Sequence, residues 1–302
     1  MIAVWCEKTV EYRAETESRD PVVLFDLESL GIDSACFLSE VQSSFNSLDW
    51  DYYDVRREQL ALLQTTFPGS VDSELYRDFY TGKSSLSTVL SLLTLTNHPF
   101  SNELHCRLEA IRPYRRRTTS RFVLSTDGDR WDVERISNTA ITQSVVSSDY
   151  RSLQRVFRET DVTVVEHPQF LRLLAALGDM VRQAEEAVSS MTVTCWQTGI
   201  VATSERSGTN SPEGIHQDGA DFIVSALVAA RSNISGGASR VFGPDKKTEV
   251  LNVVLNPGQG IFQADTGSTL WHDVTPIKVA DPAEGEGIRN IFGFDIHVSE
   301  RG

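Results

Sequence analysis

The chain lacks the features that would place it in several large protein classes. Its four cysteines, Cys6, Cys36, Cys106 and Cys195, stand 30, 70 and 89 residues apart. No C-x-x-C pair therefore exists for a zinc ribbon or a thioredoxin-type redox motif, and the four read as small buried hydrophobes in a reducing compartment. Long hydrophobic runs are missing too. The most apolar stretch, residues 86–95, is interrupted by Ser and Thr and falls far short of the roughly 20 residues that span a bilayer. The first eight residues carry no basic segment followed by an apolar one, so no secretory leader is expected. Cations are scarce: 28 Lys and Arg face 42 Asp and Glu, a formal charge of −14. Polyanion binding needs clustered cations, so neither nucleic acid nor an anionic membrane is an expected partner. A soluble cytoplasmic protein is expected, and its oligomeric state is not legible.

With 40% hydrophobic, 9% aromatic and 23% charged residues, the 302-residue chain has the composition of a globular protein. The first half mixes helical patterns and loops. Residues 49–66 place Tyr52, Val55, Gln59, Leu62 and Leu63 at helical spacing, with Pro68 just past the end. A second helix is expected to open at Pro168, a residue suited to the first helical position, and to carry the stripe Leu171, Leu174, Leu177 and Val181. Thr81-Gly82-Lys83-Ser84 resembles the end of a phosphate-binding loop. Arg77 stands where the required earlier glycine should be, however, so a loop joining two helices is expected. Beyond about residue 190 the texture becomes β-rich, with short runs at 192–202, 222–229, 250–255, 260–264, 270–277 and 288–298 separated by Gly, Pro, Asn and Asp. That spacing predicts a sandwich, barrel or jelly roll.

His216 opens the run His216-Gln217-Asp218. In an extended segment residues two apart project to the same side, whereas on a helix they lie about 200° apart and cannot share an ion. His272 follows 54 residues after Asp218, long enough for intervening antiparallel strands to return the chain beside the first two ligands. Two histidines and one carboxylate on one face leave three positions open on Fe(II), two for a chelating 2-oxo acid and one for dioxygen; a structural zinc site would close its sphere. Arg289, 17 residues after His272 at the start of the last expected strand, can pair with a distal carboxylate in bidentate fashion.

These residues resemble a known family. The segments Glu213-Gly214-Ile215-His216-Gln217-Asp218-Gly219-Ala220-Asp221-Phe222, Arg231-Ser232-Asn233-Ile234-Ser235-Gly236-Gly237 and His272-Asp273-Val274-Thr275-Pro276-Ile277 are similar to those of the Fe(II)/2-oxoglutarate-dependent amino-acid dioxygenases. That family is typified by L-isoleucine dioxygenase and includes fungal aziridine-forming members. A weaker match from Tyr114-Arg115-Arg116-Arg117 to Arg121-Phe122 extends the likeness over residues 111–298. The resemblance implies an α+β fold with a mainly β core, a double-stranded β-helix flanked by helices. Residues 111–302 would form the oxygenase domain, and residues 1–110 a helical extension packed on it.

It also implies that His216, Asp218 and His272 bind iron, that Arg289 anchors 2-oxoglutarate, and that O2 completes the cofactor set. Two positions depart from the family's pattern: Gln217 replaces a frequent arginine, and Ile291 stands where many related oxygenases carry a serine that assists the carboxylate. Thr275 is the candidate substitute for that hydroxyl. The implied reaction converts 2-oxoglutarate to succinate and CO2 while hydrogen is taken from an unactivated C–H bond of a small aliphatic L-amino acid. Hydroxylation is the first expectation; desaturation or ring closure, as in natural-product biosynthesis, is the alternative. A cupin-like zinc hydrolase and an inactive binding barrel are the remoter ones. Arg115, Arg117 and Arg121 share one side of an expected strand. Arg121 is a candidate for a substrate carboxylate or else part of a solvated basic edge, and Arg231 carries the same two readings. Phe292 and Phe294 either line the pocket or pack in the core. His98, His105, His167 and His297 are expected to be structural or superficial.

Overall fold

Two periodicities organise the chain, a helical one in its first half and a period of two after residue 187. The computed structural model describes residues 20–69, 73–95, 101–128, 130–137, 140–142 and 152–301, so Cys6 and His98 lie outside the described residues. The strands are β1 (Val22–Asp26), β2 (Asp49–Trp50), β3 (Arg115–Ser125), β4 (Asp132–Ile136), β5 (Ala140–Ile141), β6 (Arg155–Val156), β7 (Val188–Ala202) and β8 (Phe222–Ser232). They continue with β9 (Ile234–Gly236), β10 (Ser239–Phe242), β11 (Glu249–Val253), β12 (Gln259–Ala264), β13 (Trp271–Val274), β14 (Ile277–Val279) and β15 (Gly287–Arg301). The helices are α1 (Ser34–Val41), α2 (Tyr52–Thr66), α3 (Ser73–Thr81), α4 (Leu86–Leu95), α5 (Asn102–Ala110), α6 (Val162–Val165) and α7 (Pro168–Ala184).

The described residues form two compact units, one within residues 1–49, 115–139 and 158–302, the other within residues 50–114 and 140–157. In the first, an antiparallel sheet runs in the order β1-β12-β8-β15-β7-β3-β2, with β4 on β3; β11-β10-β13 and β14-β9 form smaller sheets. Ile200, Ala226, Val228, Ile261 and Ile291 of the large sheet share an apolar cluster with Val241 of β10 and Ile277 of β14. The expected jelly-roll, double-stranded β-helix architecture is thus present. The other face of the large sheet carries Phe122, Val193, Cys195, Phe292, Phe294 and Ile296, covered by the Phe170, Leu173, Leu174, Leu177 and Val181 stripe of α7. Pro168 opens α7, and the His167 Nδ1 accepts the Gln169 N–H at 3.2 Å.

The second unit gathers α2 to α5 around Leu60, Leu63, Tyr76, Phe79, Tyr80, Val89, Leu90, Leu93, Leu104 and Leu108. Asp51 caps α2 through the Tyr53 N–H at 3.0 Å, and Ser101 caps α5 through Leu104 at 3.1 Å. The Gly82-Lys83-Ser84 segment joins α3 to α4, as expected.

Several expectations need correction. The Val22–Asp26 run belongs to the sheet, pairing with β12 from Val22↔Gln263 to Asp26↔Gln259, because an apolar extended segment satisfies its backbone on an open strand edge. The single strand expected over 270–277 is two, since Pro276 offers no N–H to the ladder; β13 pairs with β10 and β14 with β9. Cys36 and Cys106 are exposed, and only Cys195 among the described cysteines is buried. Phe292 and Phe294 face the α7 layer, with the Phe292 ring 5.2 Å from Phe45 and 6.0 Å from Phe170, so neither lines a pocket on the opposite face. Among the described residues no helix is long and apolar enough to cross a membrane.

Phe292 is fully buried in this cluster. Phe292→Ala is expected to lower the unfolding free energy by about 3–5 kcal/mol, read from the midpoint of urea denaturation; a loss below about 1 kcal/mol would contradict the packing described.

Candidate metal centre

The pairing of two histidine backbones builds the site. His216 lies in the extended segment before β8 and His272 on β13, and each donates its N–H to the other's carbonyl, at 2.9 and 3.0 Å. Direct pairing places their side chains on one side of the bridge, and the ring centroids are 4.4 Å apart. Asp218, two residues after His216, returns its carboxylate between them: Oδ1 is 3.3 Å from His216 Nε2 and Oδ2 is 3.3 Å from His272 Nε2. One ligand atom from each of His216, Asp218 and His272 can be chosen so that all lie within 4.8 Å of one another. Burial works to raise the Asp218 carboxyl, but the hydrogen bonds and positive charge of the two histidines overcome it and hold the group well below its usual range.

The surroundings orient the three groups as a metal centre requires. His216 Nδ1 is 2.8 Å from the Gly214 carbonyl; a proton placed there leaves the Nε2 lone pair facing Asp218. His272 Nδ1 lies 3.8 Å from Asp265 Oδ1. Asp265 has no exposed surface, and its carboxylate accepts the N–H groups of Asp218, Gly219 and Ala220 at 3.2, 2.8 and 3.2 Å. This side chain thus holds the turn that carries Asp218 and also stands behind His272. Gln217 adds a second clamp, its Nε2 donating to the carbonyls of Asp265 at 2.9 Å and Leu270 at 2.8 Å. Glu213 Oε1 also approaches His216 Nε2, at 3.3 Å. Two imidazole nitrogens and one carboxylate, with open positions and backed in this manner, suit a divalent iron.

A buried cation stands at the start of β15, in register with Ile200 of β7. Arg289 has no exposed surface, and among the described residues its Nε, Nη1 and Nη2 have no hydrogen-bond partner. Its register neighbour on β8 is Arg231, which donates to the Gly236 carbonyl at 2.7 Å. Burial first, and then the Arg231 charge, push the Arg289 pKa down, the mark of a buried cation short of a counter-charge. The Gly236-Gly237 turn leaves room for it. At Gly237, with φ of +69°, a Cβ would stand 3.2 Å from Arg231 Nη1 and 3.3 Å from Arg289 Cδ. The Thr275 hydroxyl accepts the Ala238 N–H at 2.8 Å and keeps its own proton to donate.

Of the substrate candidates, Arg121 lies on the same sheet face as Arg289 and donates from Nε to the Thr194 hydroxyl at 3.4 Å. His105 lies beside Glu109 on α5, His167 caps α7, and His297 is exposed, so none joins the centre. The supporting roles of Asp265 and Gln217 have no signature in the sequence, since a lone Asp or Gln in a turn carries no spacing signal.

A family model described as 2OG-Fe dioxygenase matches residues 99–295. Among solved structures, a bsmA homolog from Methylobium petroleophilum PM1 is 16% identical, with 93% of this chain and 90% of that chain covered at a TM-score of 0.63. IDO from Bacillus thuringiensis is 17% identical, with 62% and 79% covered at a TM-score of 0.51. At these identities the likeness is one of fold. No curated protein sequence matches the chain.

Asp265→Ala is expected to weaken Fe(II) or Mn(II) binding by roughly 10–100-fold, as removal of an outer-shell orienting group does. The dissociation constant from anaerobic titration measures it; an unchanged constant would remove Asp265 from the support of the centre.

Proposed function

The chain belongs to the 2OG-Fe dioxygenase family, and from that premise we propose that His216, Asp218 and His272 hold its iron while Arg289 anchors its 2-oxoglutarate. The family uses Fe(II), 2-oxoglutarate and O2, which sets aside the zinc hydrolase and the inactive barrel. The observation that carries the residue assignment is the guanidinium of Arg289, buried with all three nitrogens unpartnered among the described residues. A buried cation left alone costs several kcal/mol, and the distal carboxylate of 2-oxoglutarate is the counter-charge that relieves it.

When bound, iron and 2-oxoglutarate supply an oxidant able to take hydrogen from an unactivated C–H bond, with succinate and CO2 as co-products. The chain's own residues do the positioning. His216 and His272 present Nε2, Asp218 presents a carboxylate kept ionised, and Asp265 and Gln217 hold the turn between them. Arg289 pairs with the far end of the co-substrate, Arg231 adds a second positive charge beside it, and Thr275 has a proton to donate. The apolar layer of Ile200, Val228, Val241 and Ile291 keeps bulk water from this interior. The substrate is a small aliphatic L-amino acid and the product its hydroxylated form; the motif likeness around His216 and His272 supports this finer reading.

Anaerobic loading with Fe(II) and 2-oxoglutarate, followed by air and a panel of L-amino acids, tests it. Substrate-stimulated succinate is expected, together with a product heavier by one oxygen. A product lighter by two hydrogens would replace hydroxylation with desaturation or ring closure. His216→Ala is expected to abolish succinate formation. Arg289→Ala is expected to weaken 2-oxoglutarate binding by roughly 30-fold or more, the effect of truncating one partner of a buried charge pair. Wild-type affinity in that variant, measured by calorimetry, would show that another group anchors the co-substrate.

A further inference from the structure

We propose that Asp295 is the subsite that takes the ammonium group of the substrate, an inference that deepens and rests on the oxygenase reading above. On β15 the period of two places Arg289, Ile291, Gly293 and Asp295 on the face away from α7. Register extends this face across three strands: Asp295 pairs with Thr194 of β7 and Thr194 with Arg121 of β3, while Gly293 pairs with Trp196. The Asp221 N–H donates to the Ile296 carbonyl at 3.0 Å, so the turn bearing Asp218 closes directly against this end of β15. Asp295 therefore lies on the iron side of the sheet, six residues along the strand from the proposed co-substrate anchor.

Three observations point to a cationic occupant. A carboxylate offers about four acceptor sites, and among the described residues Asp295 accepts one hydrogen bond, from Trp196 Nε1 at 2.7 Å to Oδ2. Asp265 and Arg289 have no exposed surface, whereas Asp295 is partly buried as a residue. Its surroundings combine the carboxylates of Asp218 and Asp265 with the cation of Arg117. Burial first, and then the negative charge of Asp218, with Asp265 adding, push its carboxyl up to about 7, against the opposing pull of Trp196 and Arg117. The Arg117 guanidinium lies 5.5 Å from the Trp196 ring centroid.

There is also room. A Cβ at Gly293 would meet nothing closer than the Val224 carbonyl oxygen at 3.7 Å and Trp196 Cβ at 3.8 Å, ordinary contact distances. Glycine is not demanded there by packing, since a methyl group would fit without displacing a neighbour. A primary ammonium supplies three donors and the absent charge. Trp196 fixes one carboxylate oxygen, which leaves the other for a further donor. The same pairing discriminates amines from isosteric alcohols, since a neutral hydroxyl leaves the Asp295 charge uncompensated.

The test uses the intact protein loaded anaerobically with Fe(II) and 2-oxoglutarate, titrated with small aliphatic L-amino acids and with the matching 2-hydroxy acids. Binding is followed by the visible charge-transfer absorbance of the complex and by calorimetry. The wild type is expected to bind the amino acid roughly 10- to 100-fold more tightly than its hydroxy partner. Asp295→Asn, nearly isosteric and still able to accept the Trp196 N–H, is expected to erase that preference while retaining 2-oxoglutarate affinity. Asp295→Glu, which keeps the charge, is expected to recover part of it. Equal binding of the two acids by the wild type, or binding of neither while 2-oxoglutarate is bound, overturns the subsite. So does an Asn variant that weakens both acids alike. Failure of 2-oxoglutarate to bind would instead overturn the co-substrate reading, and the same calorimetric comparison without metal then still reads the amine preference.

Discussion

Strand β15 is the constraint on which the rest of this structure depends. Both of its edges are occupied, by β7 from Gly287↔Ala202 onward and by β8 from Ile288↔Ser232 to Ile296↔Phe222. A strand bonded on two sides cannot slip by one residue without exchanging its faces. Here the exchange would carry Phe292, Phe294 and Ile296 out of the α7 layer and drive Arg289 and Asp295 into it. The aromatic packing on Phe170 and the polar interior are therefore two consequences of one register. The hydrophobic effect on the α7 side maintains the position of charged groups on the other.

The metal centre obeys a second constraint, attached to the first. His216 and His272 are joined by reciprocal backbone bonds, so their approach does not depend on long flexible side chains. Asp218 is brought to them by a turn whose three successive N–H groups end on Asp265, and that turn leads through Asp221 to β15. Ligand geometry is thereby referred to the central strand through short hydrogen bonds. The burial of Asp265 is costly for a carboxylate and intelligible only with those donors and with His272 at hand; burial and the Asp218 charge still hold its pKa above the usual range.

How much of this was legible in the residues follows from the range of each signal. The His216–Asp218 spacing, the Pro168 helix start and the β-rich texture after residue 190 are local patterns, and each appears where local geometry puts it. The pairing of Val22–Asp26 with Gln259–Ala264 joins segments more than 230 residues apart and leaves no local trace. Periodicity revealed that Phe292 and Phe294 share a face but could not say which layer that face meets; α7 decides it. Asp265 and the clamping role of Gln217 leave no such pattern for a different reason. Their roles lie in what their side chains accept from or donate to backbone groups, and backbone groups are the same at every position of a sequence.

Net charge illustrates the same difference of scale. A surplus of 14 negative charges describes the molecule seen from a distance greater than a Debye length. Inside the barrel the sign varies along one strand: Arg289 stands opposite Arg231 near one end of β15, and Asp295 stands near Asp218 and Asp265 toward the other. Each group lies in surroundings that disfavour its charge, the arginine by burial and a like neighbour, the aspartate by burial and two others. Such an arrangement is unfavourable empty, and on the proposed reading it is relieved by ligands of opposite sign at each end, an anion at Arg289 and a cation at Asp295. Stability given up in the unliganded fold then returns as affinity and orientation when both ends are filled, and a carbon held between them has little freedom to turn away from the iron.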